Sequence, residues 1–224
     1  MKRIVCLANS RKLSGRCIAG REWIEGQGAG SWVRPVSARE NQEVSEYERQ
    51  YEDGGDPRVL DIIDVPVLEP QPGDYQTENW LLDPHSYWEK AGVFSRGDLP
   101  ELVDPTAPLW IDGQSTYHGR NDRIWLEFTD SVAGSLRLIH VDGLILDVFR
   151  PGEAFGNSRR RVQGKFAHAG TEYRLWVTDP EYERAYLAKL DGVYEIGECY
   201  LTISLGESHE GWCYKLIAAI IRAE

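Results

Sequence analysis

Apolar and polar residues alternate, or run together in short blocks, through most of this chain, and that is a pattern of strands. "RIVCLA" at Arg3–Ala8 opens as a strand, and "CIAGREW" at Cys17–Trp23 reads as a second. The glycine-rich "IEGQGAG" is a turn that leads into a third, "SWVRPV". "LDIIDVPVLEP" at Leu60–Pro70 is rich in β-branched residues, and its proline places it at a sheet edge or strand end. Further on, "SLRLIHVDGLILDVF" predicts one long bent strand or a pair broken at Asp142–Gly143. "RVQGKFAHAGTEYRLWVTD" folds about "HAG" as a hairpin, and "YEIGECYLTISLGE" with "WCYKLIAAIIRAE" completes the set.

Helical signals are few and short. Ser45 with Glu48 three residues on makes a capping-box pattern at the head of "SEYERQYED". Asp179–Pro180 is an N-cap followed by proline at the first helical position, and Gly192 stops that helix. The same start and stop at Asp83–Pro84 and Gly92 predict a short helix in "DPHSYWEKAG". Two strand-rich halves, each with one interposed helix, fit small Greek-key barrels, of which the OB-fold is the commonest. The expected fold is therefore mainly β: two OB-like Greek-key barrels packed as one unit. The small residues of "DSVAGS" set the expected division into an N-terminal barrel, residues 1–130, and a C-terminal barrel, residues 131–224. The proline-rich stretch 69–123 reads as a long insertion or connector that wraps the barrels.

Composition adds that a core is affordable: the 224 residues are 42% hydrophobic and include eight tryptophans, which argues against disorder. No apolar run approaches the ~20 residues needed to span a bilayer. Asn9, Ser10, Arg11 and Lys12 interrupt any signal-peptide core after the basic start, so a soluble cytoplasmic protein is expected. Cys6, Cys17, Cys199 and Cys213 match no C-x-x-C or zinc spacing and sit in apolar strings, as small buried hydrophobes do.

Charge alters the picture more. The formal net charge is −11, yet residues 1–39 balance at +6, while residues 40–104 hold seventeen acids against Arg49, Arg58, Lys90 and Arg96. Net charge alone would argue against a nucleic-acid partner, but the potential at a groove depends on where the charges lie.

Reactive chemistry is hard to find. "GQGAGS" at Gly26–Ser31 has the wrong spacing for a dinucleotide loop and precedes a strand, so it reads as a turn. There is no Walker A sequence and no G-x-S-x-G elbow, and the histidines are unpaired at metal-ligand spacings. Asp61, Asp64 and Glu69 lack the lysine of a magnesium nuclease motif, and Glu210 and Lys215 stand at the wrong spacing. No catalytic residue, metal ligand or cofactor is therefore assigned.

Binding chemistry is better represented. Arg11, Lys12, Arg16 and Arg34 accompany Trp23 and Trp32 in the first forty residues, and Arg159, Arg160, Arg161 and Lys165 accompany Phe155 and Phe166 later. Cations that track phosphates and aromatic faces that stack bases are what single-strand recognition uses. Trp32 is the foremost stacking candidate, because it neighbours Arg34 on a strand after a flexible turn.

The strings "IVCLANSRKLSGRCIAG", "GSWVRPVS", "LDIIDVPV" and "QTENWLLDP" with its following "YW" resemble the bacterial dual OB-containing domain family. So do the C-terminal "VTDP", "LTISLGE" and "CYKLIAAII", and the resemblance runs from Arg3 to Ile221. It implies two OB-like barrels, a nucleic-acid-binding role and a place in bacterial defence or nucleic-acid processing, and it brings no catalytic residues. The leading expectation is a non-enzymatic module for nucleic acid, single-stranded by preference. One alternative is an adaptor whose acidic segment docks a basic protein partner. Another is a nuclease or nucleotide hydrolase with Asp61, Asp64, Glu207 and Lys215 as its first candidates.

Overall fold

The computed structural model describes residues 1–24, 26 and 28–223. Contacts divide the chain into two compact units: Met1–Leu102 with Ala133–Ser135, and Val103–Val132 with Leu136–Glu224.

The first unit contains strands β1 (Lys2–Lys12), β2 (Gly15–Ile24) and β3 (Gly28–Val36), then helix α1 (Glu46–Arg49). Strands β4 (Asp61–Val65), β5 (Val67–Pro70), β6 (Asn79–Leu82) and β7 (Glu89–Val93) follow. They form one sheet in the order β5-β6-β3-β2-β1-β4-β7, in which only β3 and β6 run parallel. Strands β4 and β5 are parted by Pro66 alone, whose missing N–H breaks the ladder. The first half of this broken strand pairs with β1 and the second with β6, so the sheet curls into a half-barrel. Its order is that of an OB-fold: first strand between second and fourth, third beside fifth, and the helix between third and fourth. Curling needs a bend in β1, and the ladder to β2 slips between Cys6 and Ala8. Gly20 sits opposite Cys6 there, and a Cβ on it would lie 2.1 Å from the Val5 carbonyl oxygen. Ile4, Cys6, Ile18, Val33, Ile63, Val65 and Trp88 fill the inner side.

The second unit contains β8 (Arg123–Trp125), β9 (Leu136–Phe149), β10 (Arg161–His168) and β11 (Thr171–Val177). Helix α2 (Pro180–Leu187) and strands β12 (Gly192–His209) and β13 (Trp212–Arg222) complete it. The order β11-β10-β9-β12-β13 is closed by a parallel pairing of β11 with β13, where Trp176 and Val177 face Leu216 and Ile217. The result is a five-stranded barrel in OB order, with β8 added on the start of β13. Asp179 places α2: its carboxylate accepts from the backbone N–H of Glu181 (2.9 Å) and Tyr182 (3.2 Å) and from that of Ile220 on β13 (3.0 Å). Leu146, Val162, Leu175, Leu201 and Ile217 stand in its core.

The mainly β, double-OB expectation holds, and the stretch Leu136–Phe149 is one long strand across Asp142–Gly143. Four details differ. Helix α2 ends at Leu187, and Gly192 opens β12 instead of stopping the helix. "DPHSYWEKAG" is a turn followed by β7, not a helix, because the Asp83 carboxylate is taken by the His85 N–H (3.0 Å) and Ser86 hydroxyl (2.8 Å) while Glu89–Val93 pairs with β4. The Ser45–Glu48 capping box is present but starts a helix of only four residues. Residues 69–123 are not one connector: β6 and β7 are sheet strands of the first unit, and residues 103–132 pack with the second. Asp104 is bonded to Leu138 in both directions (2.9 and 2.8 Å), and the Leu109 N–H donates to the Tyr173 hydroxyl (3.1 Å). The cysteines are free, with Cys6, Cys199 and Cys213 buried and Cys17 half-buried.

Candidate nucleic-acid interface

Strand alternation decides what the second barrel shows outward. Val162 and Phe166 on β10, and Tyr173, Leu175 and Val177 on β11, enter the core. Arg161, Gln163 and Lys165 on β10, and Arg174 and Trp176 on β11, therefore form the outer row, in which Gln163 is itself buried, with Phe149 of β9 opposite Arg161. The Arg161 guanidinium lies 3.9 Å from the Trp176 ring centroid. Trp176 stacks on Phe149 at 5.8 Å, Phe149 meets the His118 ring at 5.4 Å, and His118 meets Tyr117 at 4.8 Å. His118 is pinned there: its Nε2 lies 2.9 Å from the Pro151 carbonyl oxygen, and its own carbonyl accepts from the Gln163 amide at 3.0 Å. Tyr117, 93% exposed, ends the row in solvent. β10 and β11 are the second and third strands of an OB order, whose outer face and flanking loops carry ligands in that fold.

The basic run beside this row splits by role. Arg159 is exposed, and Phe155 in the same loop is 88% exposed. Arg161 stacks as described, and Lys165 pairs with Asp147 at 2.6 Å. Arg160 does something else. Its guanidinium binds Asp191 (2.5 Å) and the carbonyls of Leu187 (2.7 Å) and Lys189 (2.6 Å), so it satisfies the C-terminal end of α2. Arg150 joins the same Asp191. Phe166 is buried and stacked on Tyr173, so it offers no face to a ligand.

In the first unit Arg11 and Lys12 end β1 and Arg16 opens β2 across a tight turn, with Arg11 directly opposite Arg16. This turn joins the first and second strands, the place in the OB order that the 150–160 loop takes in the second unit. All three are half-buried. Trp32 is not beside them. It faces Arg21, whose guanidinium lies 5.4 Å from its ring, and Arg21 is ~17 Å along β2 from Arg16 at the usual strand rise. Arg34 requires a correction. It is 4% exposed, with its guanidinium on Glu78 (3.0 Å), the Ser135 hydroxyl (2.7 Å) and the Asn79 side-chain carbonyl (3.3 Å). The parallel pairing of β3 with β6 brings Glu78 and Asn79 to it, and its burial removes it from any phosphate.

Three of the residues considered for catalysis, Asp61, Asp64 and Lys215, are occupied locally. Asp61 is buried on the Tyr51 hydroxyl (3.0 Å), the Arg58 N–H (3.0 Å) and Lys90 (2.6 Å), and Asp64 takes a two-pronged bond from Arg3 (2.8 and 2.6 Å). Lys215 is buried on Asp112 (2.8 Å) and the Ile111 carbonyl (2.8 Å), and the Tyr173 hydroxyl donates to Asp112 (2.8 Å). Burial pushes the Lys215 ammonium below and the Tyr173 hydroxyl above their ordinary ranges, and together they fasten residues 109–112 to the barrel. Glu207 is exposed on β12. Among the described residues no group of three or more His, Cys, Asp or Glu is placed to hold a metal ion, and no helix is long and apolar enough to cross a membrane.

Sequence reasoning missed Trp176, Phe149, His118 and Tyr117. A signal was there for two of them. In "TEYRLWV" the inward positions are Tyr173, Leu175 and Val177, so Trp176 is an aromatic in the outward, otherwise polar row. Phe149 stands likewise among Ile145 and Asp147, out of step with Leu144, Leu146 and Val148. His118 and Tyr117 come from a loop, and nothing local marks them.

A closed OB barrel with an aromatic and cationic row on the outer face of its second and third strands, and a second OB-ordered sheet, define a double OB protein. The chain belongs to the dual OB-containing domain family, whose sequence model matches residues 2–220. No curated protein and no solved structure matches it.

Proposed function

We propose that this protein is a binding module for single-stranded nucleic acid, and that the outer face of its second barrel is the main contact. The observation that carries this is the unbroken row Tyr117–His118–Phe149–Trp176 with Arg161 stacked at its end. Successive bases can stack on such a row while Arg159, Arg161 and Arg174 meet the phosphates. Aromatic stacking is worth ~1–3 kcal/mol per base and tolerates any sequence. The turn that carries Arg11, Lys12 and Arg16 holds the corresponding place in the other unit, and in this reading it supplies further phosphate contacts.

The test is fluorescence anisotropy with labelled single-stranded DNA and RNA at low salt. Binding should weaken with a log–log salt slope of about −0.7 for each phosphate neutralised. Trp176→Ala should weaken it ~5- to 150-fold without changing that slope, and Arg159→Ala should lower the slope by about one contact. Failure to bind any DNA or RNA at low salt would sink the reading.

A further inference from the structure

The surface around Arg123–Phe128 belongs neither to a core nor to the row above. The Arg123 guanidinium lies 3.7 Å from the Trp212 ring centroid, and Trp212 stacks on Trp125 with centroids 3.6 Å apart at 24°. These three groups form one stack that begins with a cation and ends with an indole. That last indole is 38% exposed, and it lines a surface cavity of about 480 Å3 together with Leu126, Glu127 and Gly211. Leu126 and Phe128 are 38% and 43% exposed beside it. Three large apolar side chains within four residues are thus each more than a third exposed, a grouping rather than scattered exposure.

The platform is held in place. Trp125 and Arg123 face Trp212 and Tyr214 in the β8–β13 register, and the Leu126 N–H donates to the Gly211 carbonyl at 2.9 Å. Its stack therefore exists before any ligand arrives, so little ordering is needed on binding.

Charge decides what the free end takes. Glu127 lines the cavity and is exposed, as are Asp130 in the same segment and Glu210 next to Gly211. Residues 124–130 contain no Lys or Arg. A phosphate brought here would meet carboxylates, whereas a guanidinium would meet an aromatic face with a carboxylate at its edge. The protein already closes the other end of the stack with a guanidinium of its own. We propose that this patch docks an arginine side chain of a protein partner, stacked on the free face of Trp125 and paired with Glu127. Apolar residues flanking that arginine would cover Leu126 and Phe128.

The proposal does not depend on nucleic-acid binding, and its test keeps the two apart. In the full chain, tryptophan indole N–H signals are followed by NMR, the Trp125 signal being assigned from a Trp125→Phe variant. The probe is the peptide acetyl-Leu-Arg-Leu-amide, compared with the same peptide carrying citrulline, which keeps the shape and loses the charge. The arginine peptide should shift the Trp125 signal saturably and the citrulline peptide should not. Glu127→Gln, an exposed change, should weaken the effect ~2- to 5-fold, as expected for a lost surface ion pair. Trp176→Ala should leave it unchanged. No shift with the arginine peptide, an equal shift with citrulline, or a Trp125 shift produced instead by a single-stranded oligonucleotide would each overturn the proposal.

Discussion

Arg34 and Trp176 are each a residue whose neighbours, rather than its type, decide its role. Arg34 looked like a phosphate contact because it belongs to the basic, tryptophan-bearing first forty residues, yet the fold turns it onto Glu78 and Ser135 in a buried network. Such a pair is costly to break, because removing one partner leaves the other charge buried and uncompensated. Arg34→Met and Glu78→Leu should each destabilise the protein by about 3–5 kcal/mol, while the double change Arg34→Met/Glu78→Leu should cost much less than their sum. Chemical denaturation of the three variants measures this, and additive losses would show that the pair is not coupled. Anisotropy under native conditions should find the salt slope of Arg34→Met unchanged, which separates it from Arg159. Trp176 is the reverse case: part of a core-forming hairpin, but facing outward with a guanidinium on its ring.

At the scale of elements, what made strands legible was alternation, and what made them curl was legible only in part. The sequence shows Gly20 within "CIAGREW" but not that it must cross the bend of β1. A Cβ at 2.1 Å from a backbone oxygen has no rotamer to escape by, so the strands must separate. Gly20→Ala should therefore be far more harmful than an ordinary strand substitution, at ~2–4 kcal/mol, and a melting temperature within a few degrees of wild type would refute the close approach. Capping chemistry was readable where a cap serves a helix, as at Asp179. It misled at Asp83, where the same Asp-Pro signal serves a turn because the residues after it find a partner strand in β4. Local rules cannot see that competition. The division near residue 131 was likewise argued from small residues, although residues 103–132 contact the second unit through Asp104, Leu109 and Asp112. Those ties join residues 34 to 103 apart, and no local pattern encodes them. The basic clusters were legible as composition, and which of their members face solvent was settled by sheet register and by the helix end that Arg160 serves.

For the whole molecule, the buried thiols make stability depend on alkaline pH. Burial, with Asp61 nearby, pushes the Cys6 thiol up to about 12, and burial pushes Cys199 up to about 12 against the opposing charge of Arg222. An unfolded chain releases such protons near pH 8.5. Between that point and about 12 the unfolded state has lost protons that the folded state keeps, so the stability these groups contribute is complete below the window and is lost as pH rises through it. Each thiol adds at most ~1.4 kcal/mol of loss per pH unit. Tyr51, Tyr173, Tyr182 and Tyr200, also raised by burial, add to the decline above about pH 10. Lys215 acts with the opposite sign: its lowered pKa means the folded state sheds that proton first, so stability rises with pH between its folded and unfolded values. Two thiols and four phenols against one ammonium give a net decline. Urea denaturation at stepwise pH should find stability falling steadily above about pH 9. The variant Cys6→Ala/Cys199→Ala should start from lower stability because of lost packing, yet fall with a shallower slope through the same window. The slope, not the level, reports the thiols, and an unchanged slope in the variant would mean that the decline comes from the tyrosines alone.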